Sequence, residues 1–230
     1  MAPSPAPAAR GERGEETRQR LLQAAIDVFG RHGFEASTRQ LAAAAGVNLA
    51  AIPYHFESKH GLYLAAAEHI AGEIRSRLDP ALDRARLALA APAPPDAADA
   101  RALLAEILEA FARMMVDDAS ASWARFVIRE QMEPSDAFDR LHGGFIGPAF
   151  ATLAPLIARI TGGAAEDERV RLQVPQLIGQ ILVLRSARAT ILRELDWTAI
   201  GEAEFALIRD LIRTSVVALD RPLPNAGEAL

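Results

Sequence analysis

Asn48, Leu49, Ala50, Pro53, Tyr54 and His55 all fall within one short stretch, NLAAIPYHF, residues 48–56. Their types suit surface recognition better than bond making. Asn48 is a strong helix N-cap. Leu49 and Ala50 then open a helix whose first side chains can reach base edges, where an apolar residue can touch a thymine methyl. Upstream, Ser37 followed by Gln40 is a capping box, which starts another short helix at Thr38 and carries it to about Ala44. Thr38 and Arg39 therefore lie where a helix N-terminus and a cation can both meet phosphate. Two short helices joined by Ala45, Gly46 and Val47 form a helix-turn-helix, whose second helix enters the DNA major groove.

Catalytic chemistry finds little support. The chain has no cysteine, which removes disulfides, thiolate nucleophiles and Cys-based zinc sites. Its five histidines are scattered, and His142 beside Gly143 and Gly144 suggests no metal by itself. No glycine-rich phosphate loop follows a strand, and no paired-histidine spacing of the metalloprotease kind occurs. No catalytic residue, metal or cofactor is expected.

Pro53 is the oddity in the stretch. With Asn48 as cap it is the fifth helical residue, so it removes the bond to the Leu49 carbonyl. A proline inside a helix costs roughly 3 kcal/mol. The expected result is a tightened or slightly bent first turn, with a flat apolar ring offered to a sugar or a thymine methyl.

The elements that must hold this stretch read as helices throughout. The first covers about Glu15 to His32, with Leu22, Ala25, Ile26 and Phe29 as its apolar stripe. Gly33 can then turn left-handed and let Phe34 fold back on Phe29. Leu41, Val47, Ile52 and Phe56 are the expected inward residues. Ser58 caps a fourth helix, in which Leu62, Ala66, Ile70, Ile74 and Leu78 recur every fourth residue. Residues 91–99 hold three prolines and read as a loop. Helices follow at about 100–117, 120–132, 135–160, 166–195 and 200–220, and residues 1–14 and 221–230 read as tails. The expected domains are thus 15–62, a DNA-binding domain, and 63–220, a larger helical domain for effector binding and dimerisation.

Charge divides along the same line. Up to Leu62 there are seven basic and six acidic residues, against 18 and 24 beyond it. A nucleic-acid partner therefore belongs to the first part, and a purely architectural DNA binder would need a far more basic chain. The first residues hold no apolar stretch of signal-peptide type, and no run of about 18 apolar residues occurs, so a cytoplasmic protein without membrane contact is expected.

The stretch TRQRLLQAAIDVFGRHGFEASTRQLAAAAGVNLAAIPYHFESKHGLY, residues 17–63, resembles the DNA-binding domain of the TetR family of transcriptional regulators. FVIREQMEPSDAFDRL, residues 126–141, is similar to the C-terminal domain of the CecR-like branch of that family. The resemblance implies an all-helical homodimer with its paired N-terminal domains in successive major grooves of a palindromic operator. It also implies a small molecule in the C-terminal domain that releases the DNA. Tyr54, His55 and Lys59 match the family's phosphate-contacting positions. Pro53 departs from its Leu-Tyr-x-His-Phe pattern, in which tyrosine is usual. Tyr54 and His55 also read as plain surface residues of a small helical domain, and arginine-biased composition leaves Lys59 as the only lysine.

For the effector the expected wall is Phe111, Met115, Trp123, Phe126, Arg129 and Phe145, which favours an apolar or aromatic molecule. Apolar residues at helical spacing read equally as core. Arg129, Glu130 and Glu133 are expected to form ion pairs along one helix. LIGQILVL, residues 177–184, is apolar nearly all round, and a helix of that kind is buried on both sides. Leu177, Ile181, Leu184, Leu211 and Ile212 are accordingly the expected dimer contacts. The function so read is a ligand-responsive repressor. A ligand-independent DNA-binding regulator and a helical enzyme acting on small molecules are the competing readings.

Overall fold

The computed structural model describes residues 7–220, and every regular element among them is helical. In chain order these are α1 (Pro7–His32), α2 (Thr38–Ala45), α3 (Ala51–Phe56), α4 (Lys59–Ala90), α5 (Ala97–Val116), α6 (Ala121–Met132), α7 (Asp136–Leu141), α8 (Gly147–Thr161), α9 (Glu168–Ser186), α10 (Arg188–Glu194) and α11 (Glu202–Val217). The all-α expectation holds. Of the expected tails, 221–230 and 1–6 lie outside the described residues, whereas 7–14 belong to α1.

Packing divides the chain into two units, one built from residues up to Glu73 together with Ala121–Gly144, the other from Ile74–Ser120 and Phe145 onward. The first unit thus recruits α6 and α7, which the expected division at 62/63 leaves with the effector domain. The reason lies in side chains. Leu21, Leu22, Ala25, Ile26 and Phe29 of α1 are buried, and α6 lies against α1 with Trp123, Ala124 and Phe126 buried too. At Gly30 the two helices come so close that a Cβ would stand 2.8 Å from the Ser122 carbonyl oxygen.

A buried polar knot completes this unit. The Glu130 carboxylate is 1% exposed and accepts from the Tyr63 hydroxyl at 2.5 Å, from the Ser135 amide at 3.1 Å and from its hydroxyl at 2.8 Å. Burial, followed by this carboxylate, pushes the Tyr63 phenol well above its ordinary range. Glu130 is therefore not part of a surface ion-pair row, as expected from spacing along α6, but an acceptor joining α4, α6 and the N-cap of α7. His60 to Asp136 at 3.4 Å and Arg140 to Glu68 at 3.2 Å continue the attachment of α7 to α4.

The second unit is a bundle in which α5 packs against α8, α9 and α11. Its core includes Leu104, Ile107, Leu108 and Met115 of α5, Leu153, Leu156 and Ile157 of α8, Val174, Leu177 and Ile181 of α9, and Phe205, Ile208, Ile212 and Val216 of α11. Asp96 caps α5, accepting from the amides of Ala98 and Asp99, each at 2.8 Å. The prolines at 92, 94 and 95 accordingly lie outside any helix.

Two long helices of the sequence reading are broken here. The expected helix 135–160 is interrupted by a π-helical turn at His142–Ile146, which holds both Gly143 and Gly144. Residues 166–195 divide at Ala187, whose φ of −110° and ψ of 20° leave the helical region. The stretch Asp136–Thr161 is apolar and long enough to cross a membrane by length and composition. Within the second unit its α8 part buries Leu153, Leu156, Ile157 and Ile160.

Candidate nucleic-acid interface

The helices α2 and α3 are only eight and six residues long, too short to persist in water alone. Local hydrogen bonds hold their ends. Ser37 and Gln40 form the capping box, with the Gln40 amide donating to the Ser37 hydroxyl at 3.2 Å and the Ser37 amide donating to the Gln40 side chain at 2.8 Å. At the other end Gly46 takes φ +63°, a left-handed conformation that glycine adopts without a Cβ penalty. Arg20 of α1 then donates to the carbonyls of Ala45 at 2.8 Å and Gly46 at 3.0 Å, a cation placed on the negative end of α2.

The turn delivers the chain to α3. The Asn48 side chain accepts from the Ala50 amide at 2.9 Å, which fixes the turn ahead of the helix; the N-cap position itself is Ala50, without a side-chain bond, and not Asn48 as expected. The first bonds are of the tighter i to i+3 kind: Ala51 donates to the Asn48 carbonyl at 2.9 Å, and Ile52 donates to the Leu49 carbonyl at 3.3 Å. Pro53 has no N–H for that Leu49 carbonyl, and Ile52 supplies one a residue earlier. The tightened turn expected from proline is present. Regular α3 consequently begins at Ala51, later than Asn48 alone suggests.

Ile52 and Phe56 are buried at 1% and 7%, fixing one side of α3 inward with Leu41 of α2. Val47, expected inward, is half-buried. Arg18 of α1 lies over the Phe56 ring at 5.3 Å. Pro53 and Tyr54 of α3 and, in the turn before it, Leu49 and Ala50 are all exposed, with Tyr54 82% so. His55 is half-buried and stands edge-on to Tyr54 at 4.8 Å. Arg39 is exposed and Thr38 half-buried in the first turn of α2. Ser58 starts α4 as expected, its hydroxyl accepting from the Gly61 amide at 2.9 Å. A Cβ on Gly61 would stand 2.0 Å from the Phe56 carbonyl oxygen, so glycine permits the close approach of α4 to the end of α3.

Lys59 is already engaged. Its ammonium donates to the Phe34 carbonyl at 2.7 Å and lies 4.1 Å from the centre of the Phe34 ring. Gly33 does turn left-handed, at φ +63°. Phe34, however, is 41% exposed and edges onto Tyr63 at 5.3 Å, and it is Tyr63 that meets Phe29, at 4.7 Å. Tyr63 takes the place expected of Phe34, with its ring against Phe29 and Phe126 and its hydroxyl on the buried Glu130 carboxylate. Sequence reasoning missed Arg20 and Tyr63 and misassigned Glu130; Arg20 meets carbonyls 25 and 26 residues away, and Tyr63 meets Glu130 across 67.

The expected effector wall is split between the units. Trp123, Phe126 and Arg129 belong to the first unit, where Phe126 is 1% exposed and packs on the Tyr63 ring at 4.8 Å. Trp123 and Phe126 are thus core of the first unit. Arg129 donates to the Arg31 carbonyl at 3.3 Å and borders a hollow of about 300 Å³ with Gly30, Arg125, Ile128, Met132 and Glu133. Phe111 and Met115 are buried in the second unit, and Phe145 is half-buried there.

Of the expected dimer contacts, Leu177, Ile181 and Ile212 are covered by their own chain, because their sides of α9 and α11 face α5. Leu184 is half-buried and Leu211 is 68% exposed. The outward apolar residues of these helices are Leu172, Val183, Leu207, Leu211 and Val217. Arg185 and Arg188 both reach Asp118, at 4.0 and 3.4 Å, and Arg185 also donates to the Ser120 hydroxyl at 2.9 Å.

Comparison with known proteins agrees with this arrangement. Residues 21–66 match the model of the bacterial regulatory proteins of the tetR family, and residues 100–220 match the C-terminal domain of the HTH-type transcriptional dual regulator CecR. The Shigella flexneri protein described as HTH-type transcriptional dual regulator CecR is 38% identical over 200 residues, spanning 87% of this chain and 89% of that protein. Two solved structures share the fold. HlyIIR, a hemolysin II transcriptional regulator, has a TM-score of 0.58 at 20% identity, covering 88% of this chain and 97% of its own. AmtR of Mycobacterium smegmatis has a TM-score of 0.56 at 19% identity, covering 87% and 86%.

Proposed function

Because the chain belongs to the TetR family of DNA-binding transcriptional regulators, with a C-terminal domain of the CecR type, we propose that it acts as a homodimeric repressor on a palindromic operator. The observation that carries this reading is the two-sided character of α3. Ile52 and Phe56 anchor it, while Pro53 and Tyr54, with Leu49 and Ala50 in the turn before it, stand exposed. In this reading α3 enters the major groove, and Thr38, Arg39, Asn48, Tyr54 and His55 meet phosphates and base edges around it. Lys59 serves through its hold on Phe34, with two further ammonium hydrogens available to a phosphate.

The direct DNA surface lies within 15–62, while 63–220 provides dimerisation and effector binding. The dimer forms through the outward sides of α9 and α11, where Leu172, Val183, Leu207 and Leu211 leave an apolar surface to cover. An obligate interface of this kind buries more than about 2,000 Å². The effector is a small apolar or aromatic molecule held among Phe111, Met115 and Phe145. It releases DNA by favouring a different setting of α4, the helix that contributes to both units. The effector must bind that setting more tightly than the DNA-competent one, since equal affinity shifts nothing.

Selection from random duplexes with the full-length protein, followed by sedimentation, tests the core of this. The expected product is an inverted repeat bound by a dimer, and Val183→Glu with Leu211→Glu gives monomers that bind it poorly. A dimeric double variant, or a site without two-fold symmetry, overturns the arrangement. For induction, a compound that binds the second unit must bind more weakly when operator is saturating, by the factor with which it weakens the operator. The word dual in the Shigella relative's description favours a second reading, in which the same dimer activates some promoters. A reporter that falls rather than rises on deletion of the protein distinguishes it.

A further inference from the structure

The groove-facing side of α3 is mainly apolar. Leu49 is 45% exposed, and Ala50 and Pro53 are exposed beside it. Leu49 and Pro53, at i and i+4, share a face, and Ala50 is exposed next to Leu49, so the three make one apolar strip beside the buried Ile52 and Phe56. The polar groups nearby that could read bases are largely occupied within the protein. The Asn48 side-chain oxygen holds the Ala50 amide, the Gln40 side-chain oxygen holds the Ser37 amide, and Lys59 holds the Phe34 carbonyl. Pro53 contributes no donor at all. Apart from Tyr54 and His55, what remains outward along the segment is carbon.

In the major groove only one base displays a carbon surface, the C5-methyl of thymine. We propose that this protein selects its operator chiefly by thymine methyl groups, which pack against Leu49, Ala50 and Pro53. The inference rests on the reading of α3 as the recognition helix. Leu49 and Pro53 are about 6 Å apart along a helix axis, at 1.5 Å per residue. That span reaches methyls on base pairs one or two steps apart, at about 3.4 Å per step. Each half-site should therefore hold a pair of thymines at adjacent or next-but-one positions. Tyr54 and His55, whose polar atoms lie beside the strip, then serve the backbone and add little to base choice.

Replacing thymine by deoxyuridine removes the methyl and leaves every hydrogen-bonding group of the base in place. The operator obtained by selection is rebuilt with one deoxyuridine at a time, and its affinity is measured with the wild-type protein, Leu49→Ala and Pro53→Ala. One or two positions per half-site should lose roughly fourfold in affinity, the worth of one buried methyl-sized group. Leu49→Ala should abolish the loss at one of them and Pro53→Ala at the other. Both side chains are exposed, so neither change threatens the fold. Specific binding with no deoxyuridine effect at any position overturns the methyl proposal and leaves α3 as the recognition helix. A deoxyuridine effect that survives undiminished in both variants overturns the proposal, because the methyls are then read by side chains other than Leu49 and Pro53.

Discussion

The two packing units hold themselves together by different means. In the first, side chains hold the segments around the helices of eight and six residues: Ser37 and Gln40 at the start of α2, Arg20 on its Gly46 end, Asn48 in the turn before α3, and Ser58 at the start of α4. A carboxylate with three donors sits in its interior. In the second, α5, α8, α9 and α11, of 15 to 20 residues, rely on burying leucine and isoleucine, and α8 and α9 begin without a side-chain cap bond. The difference follows from what each surface must do. A helix too short to be stable by burial alone must be placed by directional bonds if it is to meet a rigid ligand. Long amphipathic helices need no such precision, and they can leave apolar residues outward for a partner.

The largest expected effect tests whether α6 belongs with the DNA-binding helices. Phe126→Ala removes a side chain that is 1% exposed and stacked near Tyr63, which should cost about 3–5 kcal/mol. Hydrogen exchange should quicken in α1 and the start of α4, and operator binding should fall at temperatures where the wild type is intact. Were Phe126 the wall of an effector cavity, exchange in α1 would stay as it is. A result of that kind would return α6 to the second unit.

A smaller effect tests the buried knot. The Tyr63 phenol is raised above its unfolded value of about 10, so the folded state resists its ionisation. Its contribution to stability is full below pH 10 and is lost as pH rises from there toward the folded value, at up to about 1.4 kcal/mol per pH unit. Urea unfolding between pH 9 and 11 should show this decline, and Tyr63→Phe should flatten it. The variant should also lose about 1–3 kcal/mol at neutral pH, since Glu130 forfeits its donor. An equal alkaline decline in both proteins would assign it to other groups.

The first unit was the more legible in sequence, and the reason is distance along the chain. Ser37 with Gln40, Asn48 with Ala50, and Ser58 with Gly61 are partners within three residues, so their chemistry is visible in a short string. The proline effect was legible for the same reason, because the loss at Leu49 is local. Tyr63 and Glu130 are 67 residues apart, and nothing near Glu130 distinguishes an interior acceptor from a surface ion pair. The break at Ala187 was hidden because apolar residues continue on either side of it. In the second unit the direction of an apolar residue was the hidden quantity. LIGQILVL holds enough carbon to suggest burial all round, yet Leu177 and Ile181 face the core while Val183 is 44% exposed.

The smallest expected effect compares one cap from each unit. Ser37→Ala and Asp96→Ala both remove an N-cap side chain that accepts from helix amides, and each should cost about 1 kcal/mol. The consequences should nevertheless differ. In α5 the lost cap frays the first turn of a 20-residue helix whose Leu104, Leu108 and Ala112 remain buried, so the element persists. In α2 the same loss falls on eight residues, and it frees Thr38 and Arg39 in the first turn. The turn that carries the chain to Asn48 depends on α2 being present and correctly ended. Operator affinity measured at equal fractions folded should therefore fall for Ser37→Ala, with a smaller change, or none, for Asp96→Ala. The loss should be larger than the same variant shows on unrelated duplex DNA, because placement of α3 matters most where bases are read. If the two variants bind operator equally well, directional capping is not what places the short helices. Burial of Leu41, Ile52 and Phe56 would then suffice for both.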